Sequence, residues 1–356
     1  MGTGRRGLIA AAVTVVCAVT VLAAPGTAFA DPGPAPPPGA TAPGTKDLEA
    51  VRAELDRLYR AAALATDQYN AAEERARRQS AELAALARKI TEGQEKLARL
   101  KERAGAAARA QYRSGGLPDE AKLVLSDDPG EFLDGTGRVI QGQRATKGLI
   151  TETDRAQQDL KTYAGDASAQ WEKLEENRRA KAAAQKKVEK QIAAAEKVES
   201  ELEKEERERL ERLEREAAQR AQTAWLDSGI LEEVDGEATG DGRKAVEFAT
   251  AQVGKPYAWG AEGPAAYDCS GLTSRAWASA GLAIPRTSQQ QWKRLRHVEA
   301  EDMRPGDLII YFEDASHVGM YVGDGRVVHA PRPGRTVTIT GAGSMPILGV
   351  VRPDPA

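Results

Sequence analysis

The sequence predicts a multidomain chain: a long antiparallel coiled-coil hairpin of α-helices, followed by a compact α+β domain built on an antiparallel sheet. Three observations carry this. Apolar residues recur at steps of three and four from Leu48 to Ala104, and again from Leu160 to Leu202. No proline interrupts the stretch between Pro43 and Pro118, nor the one between Pro129 and Pro256. Nine of the seventeen aromatic residues fall between 241 and 356, where Pro and Gly also return. The 356 residues are 29% charged and only 5% aromatic, and Lys plus Arg (50) nearly balances Asp plus Glu (53), for a net charge of -3. That balance offers no basic excess to neutralise phosphates, so no nucleic-acid partner is expected. Two cysteines exclude a four-cysteine zinc site.

Residues 1–30 read as a signal peptide. Arg5 and Arg6 precede an apolar run from Gly7 to Ala24, and Ala28-Phe29-Ala30 is a small-x-small cleavage site. Eighteen residues are at the short end for a membrane span. The expected product begins at Asp31, carries a charge of -5 and lies outside the cytoplasm, secreted to the cell wall. The Arg-Arg pair leaves both the general and the twin-arginine export routes open. Loss of Cys17 leaves Cys269 as the single cysteine. A site of two Cys and two His would need Cys17, so no metal or other cofactor is expected. A lone thiol in an oxidising compartment is either buried and inert or kept for its reactivity.

Residues 31–45 form a Pro-rich linker, extended and semi-stiff. Residues 46–228 form the helical arm. Its first seam runs through Leu48, Val51, Leu55, Leu58, Ala62, Ala65, Tyr69, Ala72 and onward to Leu100, broken only at Gln79 and Gly93. A helix over 46–113 would span roughly 100 Å. Residues 114–135 make the tip, with a short helix around Glu120 to Leu125. The second seam follows Leu160, Tyr163, Ala167, Leu174, Ala184, Val188, Ala195, Val198 and Leu202. Between Glu199 and Arg220 nearly every residue is Glu, Lys or Arg, which predicts a solvated helix supported by i,i+4 ion pairs. The arm buries a stripe rather than a core. Its expected role is reach, docking or occlusion.

Residues 229–240 are a Gly- and acid-rich linker, and 241–356 form the second domain. Asp241 can cap a helix over about 243–253 ended by Gly254. Further helices are expected over Cys269–Ala280 and Thr287–Leu295. Strands are expected over Leu308–Phe312, Val318–Val322, Arg326–Ala330, Thr336–Thr340 and Leu348–Arg352.

Cys269 lies in Tyr267-Asp268-Cys269-Ser270-Gly271-Leu272, at the first turn of an expected helix with Asp268 as N-cap. The positive field of the helix N-terminus favours thiolate there, and Gly271 leaves room for a substrate backbone. The free N–H of Cys269 can face an oxyanion. A Cys nucleophile needs a base, and the base an orienting partner. His317 opens one expected strand and His329 lies in the next, across Gly323-Asp324-Gly325. A two-residue loop alone would put these histidines on opposite faces. A three-residue or bulged hairpin, with Gly325 at positive φ, brings them to one face, with Gly319 opposite His329. The plainer alternative is two ordinary strand histidines. His297, after Lys293-Arg294-Leu295-Arg296, reads as a surface residue.

Together, Gly254-Lys255-Pro256-Tyr257-Ala258-Trp259-Gly260, Asp268-Cys269-Ser270-Gly271-Leu272, Pro285-Arg286-Thr287-Ser288, Arg304-Pro305-Gly306-Asp307-Leu308 and His317-Val318-Gly319-Met320-Tyr321-Val322-Gly323 running on to His329-Ala330-Pro331 resemble the NlpC-type family of papain-like bacterial cell-wall endopeptidases. The resemblance covers about 242–352. It implies a papain-like fold and hydrolysis of peptidoglycan stem peptides, usually between D-γ-glutamate and diaminopimelate. Carried over by position, Cys269 is the nucleophile, His317 the base and His329 the polar orienter. Tyr257 would help to bind the oxyanion. Asp268, Ser270, Arg286 and Ser288 are the other candidate oxyanion- or substrate-binding residues, of which Arg286 and Ser288 would line the cleft or serve the fold. More loosely, the arm resembles coiled coils joined to such domains in actinobacterial hydrolases of cell division or wall remodelling. Some of those arms dock on a membrane-complex activator and some cover the active site. Two rivals remain at this stage: an interaction protein with a degenerate docking domain, and an amidase or acyltransferase using the same cysteine.

Overall fold

The computed structural model describes residues 47–113, 121, 124–125, 129–230 and 236–354. The expected signal peptide, the Pro-rich linker and most of the hairpin tip, including the short helix placed around Glu120 to Leu125, lie outside the described residues.

Helix α1 spans Leu48–Arg113 and α2 spans Pro129–Ser200. Proline at the first helical position suits α2, because its missing N–H would have had no partner there. The helices run antiparallel. Tyr59 meets Glu199, Glu73 meets Lys181, Gln79 meets Asn177 and Lys96 meets Glu152. Both breaks in the first seam have a partner. Gln79 accepts a hydrogen bond from Asn177 Nδ2 at 2.9 Å. A Cβ on Gly93 would lie 2.9 Å from Leu160 Cδ2, so the glycine is the hole that receives Leu160. The seam is best buried at its base, where Leu48, Leu55, Leu58 and Tyr59 pack with Ala195, Leu202 and Leu210.

The chain breaks at Glu201–Glu203 and resumes as α3, Lys204–Leu226, started by a capping box between Glu203 and Glu206. The charged run is therefore not one solvated continuation of the second helix. Some of its charges do form i,i+4 pairs, such as Arg215 with Glu211. Others turn to the second domain: Glu214 receives Arg332 at 2.9 Å and Arg335 at 3.1 Å. At the end of α3, Gln222 accepts from the Gly343 backbone N–H at 2.6 Å, and Trp225 packs on Gly343.

The second domain opens with α4, Gly240–Thr250. Its N-cap is Thr239, not Asp241, since the Thr239 hydroxyl accepts from Gly242 N. Helix α5 is Cys269–Ser279 and α6 is Ser288–Arg294. Six strands follow: β1 Arg296–Val298, β2 Leu308–Tyr311, β3 His317–Gly323, β4 Arg326–His329, β5 Thr338–Gly341 and β6 Ile347–Arg352. They form one antiparallel sheet in the order β1-β6-β2-β3-β4-β5. Strand β1 was not expected from the sequence. It carries exposed His297, whose ring stacks on Trp292.

Helices α4 and α5 pack on one face through Ala245, Ala249, Leu272, Ala276 and Trp277 against Leu308, Ile310, Val318, Met320 and Val328. The other face, with Ile309, Tyr311, Tyr321, Val327 and Val350, is covered in part by Trp225 of α3. Alternate residues of β2 thus serve two cores, as strand geometry requires. The Arg304-to-Leu308 motif is structural here. Asp307 is 1% exposed and pairs with Arg352 at 2.7 Å, while Trp277 Nε1 donates to the Gly306 carbonyl.

Candidate active site

Cys269 is the first residue of α5, and Asp268 is its N-cap, with one carboxylate oxygen accepting from Gly271 N at 2.6 Å. Only 6% of Cys269 is exposed, so a reagent must displace something to reach it. Its thiol receives the backbone N–H groups of Val318 and Ser270, which sets it against the start of β3, one residue past His317. Burial pushes the thiol well above its ordinary range, and the carboxylates of Asp268 and Asp67 push it further. The helix N-terminus carries about half a charge, and in this closed arrangement it does not offset that desolvation. Thiolate is therefore not the favoured form here, against the expectation from the helix start.

Gly271 serves a different purpose from the one its sequence context indicated. A Cβ there would lie only 2.2 Å from the Ala261 carbonyl oxygen and 2.9 Å from Asp268 Oδ1. The missing side chain lets the 258–268 segment close on α5 rather than admitting a substrate backbone.

His317 and His329 share one face. His317 Nε2 lies 2.8 Å from His329 Nδ1, with the rings edge-on. The hairpin reaches this by a bulge. Met320 pairs with Val328 and Tyr321 with Val327, but Gly323 pairs with Arg326, so Val322 is the extra residue. The turn is the two residues Asp324 (φ 53°) and Gly325 (φ 64°). A Cβ on Gly319 would lie 3.3 Å from His329 Cβ and 2.4 Å from Val327 Cγ2, so glycine allows this close approach. Burial lowers His329 to about 4, and burial with the neighbouring His329 lowers His317 well below its ordinary value. Both rings are neutral at pH 7. Thr340, which no pattern along the chain singles out, lies 3.2 Å from His329 Nε2 through its hydroxyl.

The remaining expected residues gather around Asp268. Arg286 donates to Asp268 at 2.7 and 3.0 Å, to Glu262 at 2.8 Å and to the Ser270 hydroxyl at 3.0 Å. Arg286 thus clamps the N-cap of α5 and holds the Ser270 hydroxyl beside it. Tyr257 is half-buried, and its hydroxyl is raised well above 10 by burial and then by Cys269, Asp268 and Asp67. Ser288 is fully buried and reaches Asp67 of the arm.

Helix α1 lies over this cleft. Arg60 pairs with Asp314 at 2.9 Å and sits over the Phe312 ring. Tyr69 meets Trp259 edge-on at 5.1 Å, and Asn70 Nδ2 donates to Asp268 Oδ2 at 3.2 Å. The arm also grips the loop after His329. Arg332 stacks on Tyr59 at 4.4 Å and pairs with Glu214. Asp67 and Asn70 were missed because nothing in their spacing separates them from other polar residues beside a heptad seam.

Residues 254–345 match the model of the NlpC/P60 family. A probable endopeptidase of Corynebacterium glutamicum is 39% identical over 135 residues, covering 38% of this chain and 64% of that protein. A probable endopeptidase of Mycobacterium tuberculosis is 43% identical over 102 residues, 29% of this chain and 26% of that one. Among solved structures, the NlpC/p60 domain of the peptidoglycan hydrolase SagA is 27% identical, covering 31% of this chain and 97% of that chain, with a TM-score of 0.30. This chain therefore spans less than two thirds of the length of these two curated relatives.

Proposed function

With residues 254–345 forming a domain of the NlpC/P60 family, we propose that this chain is a thiol endopeptidase that cuts peptidoglycan stem peptides and carries its own cover. The observation that supports it most is the place of Cys269, at the start of α5 and held against β3 by the Val318 N–H, on the strand that opens with His317 of a neutral His317–His329–Thr340 chain. A base at His317 requires one tautomer of the pair. If His317 Nε2–H donates to His329 Nδ1, then His329 carries its proton on Nε2, facing the Thr340 hydroxyl. That leaves His317 Nδ1 as a free base.

Cys269 Sγ attacks the amide carbon as His317 takes the thiol proton. The same proton passes to the leaving amine, and water then releases the acyl group from sulfur. The Cys269 backbone N–H and the Tyr257 hydroxyl stand as donors to the oxyanion. The bond cut is that between D-γ-glutamate and diaminopimelate. The protein acts after export, in wall remodelling or division, and an activator in a membrane complex frees the cleft by drawing on the arm. Among the described residues no helix is long and apolar enough to cross a membrane.

The test is digestion of purified peptidoglycan by the full chain and by a fragment from Gly236 onward, which keeps the Thr239 cap. Mass spectrometry should find products ending at D-glutamate, more from the fragment, and none with Cys269→Ala. No release by either form would overturn the peptidase reading. Release of a different product would replace the bond and keep the nucleophile.

A further inference from the structure

Ser288 holds one hydroxyl proton between two oxygens. Its Oγ lies 2.6 Å from Asp67 Oδ2 and 2.6 Å from the Ala315 carbonyl oxygen. A carbonyl can only accept. If Ser288 donated to an ionised Asp67, two lone-pair oxygens would face each other at 2.6 Å with no proton between them. The site would not tolerate this, because Ser288 is 0%, Asp67 3% and Ala315 4% exposed. One assignment satisfies every oxygen: Asp67 donates to Ser288, and Ser288 donates to Ala315.

The groups around Asp67 point the same way. The carboxylate of Asp268, at the N-cap of α5, opposes a second negative charge, and Cys269 and Tyr257 lie within its field. Arg286 is the cation facing it, but Arg286 is already bonded to both Asp268 and Glu262. His317 is neutral. From α6 there is the Gln289 backbone N–H, and the next polar group of α1 toward the cleft is Asn70, itself bonded to Asp268. Burial, with Asp268, raises the Asp67 carboxyl to about 7.

We infer that the arm closes on the cleft as an acid: Asp67 enters protonated, its proton completes the chain through Ser288 to Ala315, and lifting the arm releases that proton to water. The inference rests on the cover described above. Its sign is fixed by which state holds the proton. An exposed aspartate ionises near pH 4. Between about pH 4 and 7 the closed form therefore carries a proton that the open form lacks. Each unit of rising pH then favours opening about tenfold. Below that window both forms are protonated and above it both are ionised, so the effect levels off. Over the whole shift, from 3.8 to about 7, the opening constant changes by about a thousandfold.

The test uses the full chain and no activity. Aspartate carrying carbon-13 in its carboxyl reports the Asp67 titration, assigned by the signal lost in Asp67→Asn. Fluorotryptophan at Trp259, assigned with Trp259→Phe, reports contact with Tyr69 and hence the closed fraction. The expected results are an Asp67 midpoint near 7, an opening constant rising about tenfold from pH 5 to 6 and less steeply from 6 to 7, and no such slope in Asp67→Asn. The amide of that variant still donates to Ser288 without titrating. A closed arm with an Asp67 midpoint near 4, or the same slope in both proteins, would overturn the proton link and leave the cover standing. A Trp259 signal that is open at every pH would overturn the cover itself. If Asp67→Asn stays open, the carboxyl midpoint of the unaltered chain decides.

Discussion

Replacing Asn70 by alanine removes one hydrogen bond from the arm to the cleft and leaves Asp268 with two bonds from Arg286, one from Gly271 and a longer one from the Ser270 hydroxyl. A bond to a charged group contributes about 1.5–3 kcal/mol, and its 3.2 Å length places this one near the lower end. A loss of about 1.5 kcal/mol multiplies the open population about twelvefold. Arg60→Ala removes a partly exposed ion pair with Asp314 and the contact with Phe312, together about 1 kcal/mol, or about fivefold. The residues lie ten positions apart on one helix, roughly 15 Å, so the effects should add to about sixtyfold in the double variant. The assay is the rate at which iodoacetamide modifies Cys269, followed on the peptide that contains it. Because the thiol is buried when the arm is closed, the rate follows the open population until it reaches that of the arm-free fragment. Equal rates in the full chain, both single variants and the fragment would refute the idea that α1 governs access to Cys269.

Stability should fall as pH drops from about 6.5 to 4, because the unfolded chain takes up protons that buried His329 refuses; up to about 3 kcal/mol is lost, and melting curves of His329→Gln should show a shallower decline. The raised Asp67 carboxyl acts in the opposite sense, its contribution fading as pH rises toward 7, so the comparison with the variant is what isolates the histidine. Gly271→Ala should destabilise the domain by about 1–3 kcal/mol in denaturant titrations, since its Cβ meets the Ala261 carbonyl, and should lower activity with it. Glu214→Gln removes the charge that receives Arg332 and Arg335, so salt should speed Cys269 modification in the unaltered chain more than in this variant.

Much of the site was legible because its signals are local. A cysteine after an aspartate at a helix start depends only on neighbouring residues, and the bond from Gly271 N–H to Asp268 is made within one turn. Strand parity required a bulge or a longer loop to bring His317 and His329 together, and the bulge at Val322 is what the fold uses. Other meanings needed the third dimension. Gln79 and Gly93 break a pattern when α1 is read alone and fit their partners once α2 lies beside it. Thr340 becomes a neighbour of His329 only through the pairing of β4 with β5.

The two kinds of architecture, the setting of Cys269 at a helix start and the histidine pair were legible in the order of residues, because periodicity, capping and strand parity act over a few residues. Tertiary structure decided that the thiol is held protonated, that Arg286 braces the N-cap, that the charged helix α3 grips Arg332 and Arg335, and that Asp67 and Asn70 fill the cleft. Each of these depends on desolvation or on a partner far away along the chain: Ser288 is 221 residues from Asp67, and Asp268 is 198 from Asn70. Burial and long-range pairing set the charge state of a carboxylate or a thiol, and neither is written in the spacing of the residues that carry them.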